Sequence, residues 1–273
     1  MRKLFGLVTA AVLALTLAAC GSSASGSSAS GAPSDPLKIG ATPTPHAEIL
    51  KYISDNLAAK EGLKLEIVEF SDYVPLNPQL QEGQLDANYF QHQPYLGDYN
   101  KEKGAKLTWV ENVHLEPLGL YSSKVKDVAA LASGATVAVP NDATNLGRSL
   151  KLLADNGVIT LKDGVGTAAT ERDVTANPKN ITFKALDAAQ LPRSLADVDA
   201  AVINGNYALE AKLNPATDAL IAEKAEGNPY ANGLVVQEGK QNDPRVQKLA
   251  KLLQSPEVKK YIEDTYKGAV IPA

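Results

Sequence analysis

The sequence predicts an α/β protein of two lobes of similar build, and three observations carry that expectation. Short apolar strands alternate with amphipathic helices from Leu37 to the C-terminus. The first three elements read as strand, helix and strand, and a right-handed crossover between such strands implies parallel pairing. The rhythm restarts near Thr136, and the chain then returns to a last strand and two helices, which makes the first lobe discontinuous.

Taken in order, Leu37 to Ala41 reads as the first strand. A helix follows from about His46 to Lys60, with Ile49, Ile53 and Leu57 on one face, and Lys64 to Phe70 alternates as the second strand. Leu76 to Glu82 is helical, Asp86 to Phe90 a short strand, Pro94 to Lys103 a helix opened by proline, and Lys106 to Val110 a strand. In the second half the strands are Thr136 to Val139, Ile181 to Ala185 and Ala200 to Ile203. The helices are Thr144 to Asn156, Ala188 to Ser194 and Tyr207 to Lys212. Strand Gly233 to Val236 and helices Arg245 to Leu253 and Pro256 to Lys267 close the chain. The boundaries implied are lobe 1 over 36–117 plus 230–273 and lobe 2 over 118–229.

Ahead of this lies a processing segment. Arg2 and Lys3 precede an apolar run from Leu4 to Leu17, too short to span a bilayer comfortably, and the run ends in Leu17-Ala18-Ala19-Cys20. Residues 1–19 read as a signal peptide whose end resembles a bacterial lipobox, with Cys20 lipidated. Cys20 is the sole cysteine, so the chain has no disulfide, no thiolate nucleophile beyond it and no cysteine-based metal site. Residues 20–35 are almost all Ser, Gly and Ala and read as a tether with a reach of about 20 Å. The formal charge of −4 becomes −6 once Arg2 and Lys3 are removed. A mildly acidic chain argues against nucleic acid as a partner, so membrane attachment falls to lipid rather than to a basic patch.

Open α/β sheets bind ligands beyond the carboxyl ends of their strands. Here those places carry Tyr73, Tyr89 to His92, His114, Asn141 to Arg148, Asn204 and Asn232. In the stretch from Val137 to Leu153, Asn141, Asp142 and Thr144 are each credible N-caps, and the helix is expected to present an open first turn suited to an anion. Leu146, Leu150 and Leu153 form its core stripe, while Arg148 lies about 200° from Leu146 and shares its side with Asn145. A ligand carboxylate suits that pair; a solvated face fits the same spacing. Aromatic residues are scarce, yet Tyr89, Phe90, Tyr95 and Tyr99 fall within eleven residues. Core packing accounts for Tyr95 and Tyr99, leaving Tyr89, Phe90 and His92 to wrap an apolar ligand group.

Other chemistry finds little support. His46, His92 and His114 are the only histidines, with Glu48 and Glu116 two residues after two of them; the spacing matches no ligand motif, so no metal is expected. No cofactor is expected either. Gly164-Val165-Gly166-Thr167-Ala168-Ala169 fits a loose dinucleotide pattern but follows no strand that feeds a helix, so it reads as a loop. A nucleophile elbow and a phosphate-binding loop are both missing from the sequence, and the chain is not expected to be an enzyme.

The chain resembles the methionine-binding lipoproteins of bacterial ABC importers, the MetQ/NlpA group, over essentially all of its mature length. The resemblance is carried by Gly40-Ala41-Thr42-Pro43 with His46 to Leu50, by Glu69 to Val74, by Leu85 to His92 and by His114 to Tyr121. Pro140 to Asn145 with Gly147-Arg148, Ala189 to Arg193, Ala200 to Asn204 and Pro229 to Asn232 extend it. It implies a two-lobed periplasmic-binding-protein-like fold, type II-like, closing on methionine. Delivery to a membrane permease driven by cytoplasmic ATPases, from the outer face of the cell membrane, is also implied. By matching motifs, Arg148 would bind the ligand carboxylate, Asn145, Asn204 and Asn232 its polar groups, and Tyr73, Tyr89, Phe90, His92 and His114 its thioether chain. Where the family often has threonine, this chain has Gly205 between Asn204 and Asn206, a departure expected to loosen that loop and leaving either asparagine as the contact. A methionine-containing dipeptide as ligand, or an adhesin or interaction lipoprotein on the same fold, are the alternatives.

Overall fold

In the computed structural model, residues 35–273 are described. The expected signal peptide, the lipidation at Cys20 and nearly all of the Ser/Gly tether fall outside that range. Among the described residues no helix is long and apolar enough to cross a membrane.

The first half builds a mixed sheet. Strand β1 (Leu37–Ala41) is buried on both faces, as a central parallel strand must be. It leads through an irregular turn to helix α1 (Glu48–Asn56), which buries Ile49, Leu50 and Ile53. The helix starts at Glu48 rather than His46 because Thr44, which precedes Pro45, is held extended at φ −116° and ψ 133°. Strand β2 (Leu65–Glu69) pairs parallel with β1, as the crossover requires. Helix α2 (Leu76–Gln81), strand β3 (Ala87–His92) and helix α3 (Gln93–Lys103) follow, and β3 lies parallel to β1 on its other side.

Strand β4 (Leu107–Leu115) runs five residues past the expected stop at Val110. Glu111 and Asn112 break the apolar pattern, but pairing with a late strand carries the ladder through them, with two register shifts along the way. A short strand β5 (Gly119–Tyr121), not anticipated from sequence, opens the second sheet. There follow β6 (Thr136–Pro140), α4 (Ala143–Asp155) and a small antiparallel ribbon of β7 (Thr160–Leu161) and β8 (Val174–Ala176). Gly164 to Ala169 lies in the connection of this ribbon, as turns and a single 3-10 turn, so the loop reading of the Gly-Val-Gly pattern holds. Next come β9 (Thr182–Leu186), α5 (Leu191–Ser194), β10 (Ala200–Ile203), α6 (Gly205–Glu210) and β11 (Ile221–Ala222). The chain returns through β12 (Asn232–Gln237), α7 (Pro244–Leu253), α8 (Pro256–Tyr266) and β13 (Ile271–Pro272).

The two main sheets have the orders β13-β4-β12-β3-β1-β2 and β11-β5-β10-β6-β9. Each is covered by apolar residues on both faces. Ile39, Ile53, Leu249 and Ile262 belong to the cluster on one side of the first sheet and Leu76, Phe90 and Val235 to the other. Val137, Leu150 and Val202 lie on one side of the second, with Leu191, Ile203 and Tyr207 opposite. The chain crosses between the sheets twice, after Leu115 and after Ala222, and the crossings are bonded through Glu223 N–H to the Leu118 carbonyl at 2.9 Å.

Candidate functional site

Three strand-to-helix corners converge between the sheets. His92 ends β3 and caps α3, its Nδ1 accepting the Tyr95 N–H at 3.2 Å. Asp142 follows β6 and caps α4, accepting the Asn145 N–H at 2.9 Å. Asn204 follows β10 and stands at the N-cap of α6, but its side chain makes no capping bond. The open first turn expected for α4 is therefore closed by the chain's own carboxylate, since a half-buried Asp one residue before a helix meets the first N–H groups before any ligand can. Burial raises the Asp142 pKa, an effect opposed by the bonds it receives from Asn145 and Thr144.

The cavity at these corners is small, with about 20 Å³ of free volume, little more than room for a water molecule. Its lining includes Tyr73, Phe90, His92, Asn145, Arg148, Asn204 and Asn232, all expected from sequence. Tyr89 and His114 are wholly buried one layer behind it, bonded to each other through the Tyr89 hydroxyl and His114 Nδ1. Gln91 also lines it, within the expected Tyr89 to His92 stretch, as do Tyr95, Glu116, Gly205 and Asn206, which were not expected there apart from Asn206 as an alternative to Asn204. Tyr95, attributed to core packing on its sequence spacing, faces the cavity with its ring edge-on to Phe90.

Arg148 is 4 % exposed and projects into the cleft, not onto a solvated face. Its Nε and Nη2 donate to the two Glu223 oxygens at 2.7 and 2.5 Å, and Nη2 also donates to the Glu116 carbonyl at 3.0 Å. The guanidinium carbon sits 4.2 Å from the centre of the Tyr230 ring. One fork of the guanidinium thus holds both crossings, and Nη1 is left for the cavity. Asn145 is occupied by its neighbours: its amide donates to Asp142 at 2.9 and 3.0 Å, and its oxygen accepts from Asn204 at 2.9 Å and His92 Nε2 at 3.3 Å. It positions those side chains rather than offering free valences.

Among the residues lining the cavity, two buried amide atoms lack a protein partner, Asn204 Oδ1 and Asn206 Nδ2. Asn206 gives its own oxygen to the Tyr73 hydroxyl at 2.5 Å across the cleft, so its amide hydrogens point to the cavity. Glu116 Oε1 accepts from His114 Nε2 at 2.7 Å and lies 3.3 Å from His46 Nε2. Burial raises the Glu116 pKa, partly offset by His46 and Arg148. Burial also lowers His46 to about 4, and His92 and His114 to about 3, so all three rings are neutral near pH 7. Asn232 lends its oxygen to His46 Nε2 at 3.1 Å.

Gly205 does not loosen its loop. A Cβ there would lie 2.6 Å from the Glu116 Cβ, so its bareness lets the α6 start press against Glu116. The strand-end rule could have found Glu116 had β4 been carried to Leu115, since Glu116 is then the first residue beyond the strand. The cavity therefore pairs acceptors, Asn204 Oδ1 and the Glu116 carboxylate, with donors, Asn206 Nδ2 and Arg148 Nη1. Beside them stands an aromatic wall in which Tyr73 lies 5.7 Å from Phe90 and 4.9 Å from Tyr207.

Residues 37–273 match the family described as NlpA lipoprotein. The chain is 40% identical over 264 residues to the probable D-methionine-binding lipoprotein MetQ of Vibrio cholerae, covering 97% of this chain and 95% of that one. It is 40% identical over 276 residues to the methionine-binding lipoprotein MetQ of Bacillus subtilis, covering 100% and 99%. Its fold is similar to that of a nutrient-binding protein from Burkholderia cenocepacia bound to methionine. In that comparison the TM-score is 0.84 and the identity 45%, with 87% of this chain and 99% of that chain covered.

Proposed function

Since this chain belongs to the NlpA lipoprotein family, we propose that it captures methionine at the cavity between its sheets and hands it to an ABC importer. The protein is a lipid-anchored binding protein of the extracytoplasmic membrane face, with the two-lobed fold of type II substrate-binding proteins, and is not an enzyme. The lipid would be carried by Cys20, and the lobes taken as 36–117 with 230–273, and 118–229. A permease with its ATPase would be the partner.

The observation that carries the site reading is the pairing of unspent groups in the cavity. An α-amino acid brings one ammonium and one carboxylate. Asn204 Oδ1 and Glu116 suit the first, while Asn206 Nδ2 and Arg148 Nη1 suit the second. The thioether chain would pack among Tyr73, Phe90, His92 and Tyr95, where apolar burial contributes about 1.5–3 kcal/mol and sulfur against ring edges roughly 0.3–1.5 kcal/mol. Tyr89 and His114 act behind this layer, holding Glu116 in place. Asn145 orients Asn204 and His92, and Asn232 orients His46.

The test is native mass spectrometry of the purified chain, before and after unfolding and refolding, followed by calorimetric titration with L-methionine, D-methionine and Gly-Met. A bound mass equal to methionine with saturable rebinding is expected. No bound mass and no heat with any of the three would sink the reading and favour an interaction lipoprotein.

A further inference from the structure

Behind the cavity floor the fold gathers side chains whose linear spacing shows no pattern. His46 comes from the turn before α1, His114 from the end of β4 and Glu116 from the first crossing. The two imidazoles and the carboxylate each offer one atom, and those atoms lie within 4.8 Å of one another. We propose that His46, His114 and Glu116 form a binding site for a divalent transition metal such as Zn²⁺, and that a metal there competes with methionine.

The geometry supports this in two ways. The carboxylate oxygen Glu116 Oε1 sits between the two ring nitrogens, 2.7 Å from His114 Nε2 and 3.3 Å from His46 Nε2. Zinc bonds to nitrogen and oxygen span about 2.0–2.2 Å, so a metal replaces the His114 bond to Glu116 and the His46 bond to Asn232 with small movements of the rings. Next, the far nitrogen of each ring already faces a hydroxyl: His46 Nδ1 meets Thr42 Oγ1 at 2.7 Å, and His114 Nδ1 meets the Tyr89 hydroxyl. A hydroxyl accepts as readily as it donates. Each ring can carry its proton on Nδ1 and turn the Nε2 lone pair to the metal with no change of charge, the outer-sphere arrangement that orients metal-bound imidazoles. Charge points the same way. Arg148 is neutralised by Glu223, which leaves Glu116 as the anion at the floor of the cavity.

Of the three, Glu116 alone lines the cavity, so the remaining coordination position opens there, where water completes a four-coordinate site. All three residues are no more than 5 % exposed, so the metal enters when the cross-cleft bonds of Tyr73 to Asn206 and of His92 to Asn145 part. The competition rests on the reading of Glu116 as the acceptor of the ligand ammonium; the metal affinity does not.

The experiment uses the untagged full chain in detergent, freed of ligand by unfolding and refolding in chelator and then dialysed, titrated with Co²⁺ and with Zn²⁺. One equivalent of metal, visible Co²⁺ absorption bands typical of four-coordinate nitrogen and oxygen ligation, and an apparent methionine Kd raised at least tenfold by excess Zn²⁺ and restored by EDTA are expected. His46→Gln and His114→Gln each abolish the bands. Lack of saturable metal binding by the wild-type chain overturns the proposal, as do bands that persist in both folded variants. One bound equivalent with an unchanged methionine Kd overturns the competition. Methionine titration in EDTA is a separate arm, and its failure would count against the methionine reading alone.

Discussion

At the scale of single residues, Arg148 and Glu116 divide the work. Charged hydrogen bonds contribute about 1.5–3 kcal/mol, and about 1.4 kcal/mol is a tenfold change in affinity, so Arg148→Ala should weaken methionine binding by roughly tenfold to a hundredfold in calorimetry. Wild-type affinity in that variant would remove Arg148 from the site. The same change strands Glu223, 11 % exposed, and breaking such a pair costs about 3–5 kcal/mol, so a fall in the denaturation midpoint should accompany it. Arg148→Lys keeps the charge and loses the fork, which separates the two effects. The buried histidines make a second prediction. Their folded pKa values, about 4 for His46 and about 3 for His92 and His114, lie below the unfolded value of 6.5, so the unfolded chain binds more protons in that window. Their contribution is complete above pH 6.5 and is lost as pH falls toward 4 and then 3. With three groups the slope reaches roughly 4 kcal/mol per pH unit near pH 5, trimmed by Glu116, whose raised pKa works in the opposite sense. Guanidinium midpoints flat between pH 7 and 4.5 would contradict the neutral assignment of these rings.

At the scale of elements, helix α4 bears Asn145 and Arg148 on the side opposite Leu150 and Leu153, and Gly147 is its weak point. A Cβ at Gly147 would stand 2.2 Å from the Thr167 carbonyl oxygen, and a backbone neighbour cannot swing aside. Gly147→Ala gains about 1 kcal/mol of helix propensity, but overpacking costs about 1–3 kcal/mol, so the variant should be less stable in denaturant and bind methionine more weakly as α4 is pushed off its seat. An unchanged midpoint and affinity would show that the turn yields. Elements were legible wherever local periodicity decided them: α4, α7 and α8, with buried stripes such as Leu249 and Leu253, stand within a residue or two of expectation. They were illegible where a distant partner decided them. β4 passes through Glu111 and Asn112 because β12 pairs along it, and Gly233 permits this, since a Cβ there would meet the Glu111 carbonyl and the Trp109 ring at 2.2 Å. Losing the true end of β4 is what hid Glu116. Periodicity placed Arg148 opposite the core stripe, and only the fold shows that this side faces a second sheet and not water.

At the scale of the whole molecule, a ligand that binds the folded chain alone stabilises it by about 2.7 kcal/mol at a hundredfold excess over Kd. For a domain of this size that corresponds to a rise in Tm of roughly 5–10 °C. Calorimetric scans should show it with methionine for the wild type and lose it for Arg148→Ala; a rise that survives in the variant would place the ligand elsewhere. The two-lobe arrangement was readable because the strand-helix rhythm repeats, whereas the cross-cleft bonds of Tyr73 and Asn206, or His92 and Asn145, join residues too far apart for any local pattern to reveal. Arg148 grips the Glu116 carbonyl on one crossing and the Glu223 carboxylate on the other, with Tyr230 beneath it. On the proposed role of Arg148 as holder of the ligand carboxylate, cargo choice and mechanics are tied together at one position. A lineage, or an engineer, that seeks a cargo lacking a carboxylate has to rebuild the joint between the lobes as well, while Phe90 and Tyr95, which touch neither crossing through a hydrogen bond, are where new side-chain preferences can be acquired at little mechanical risk.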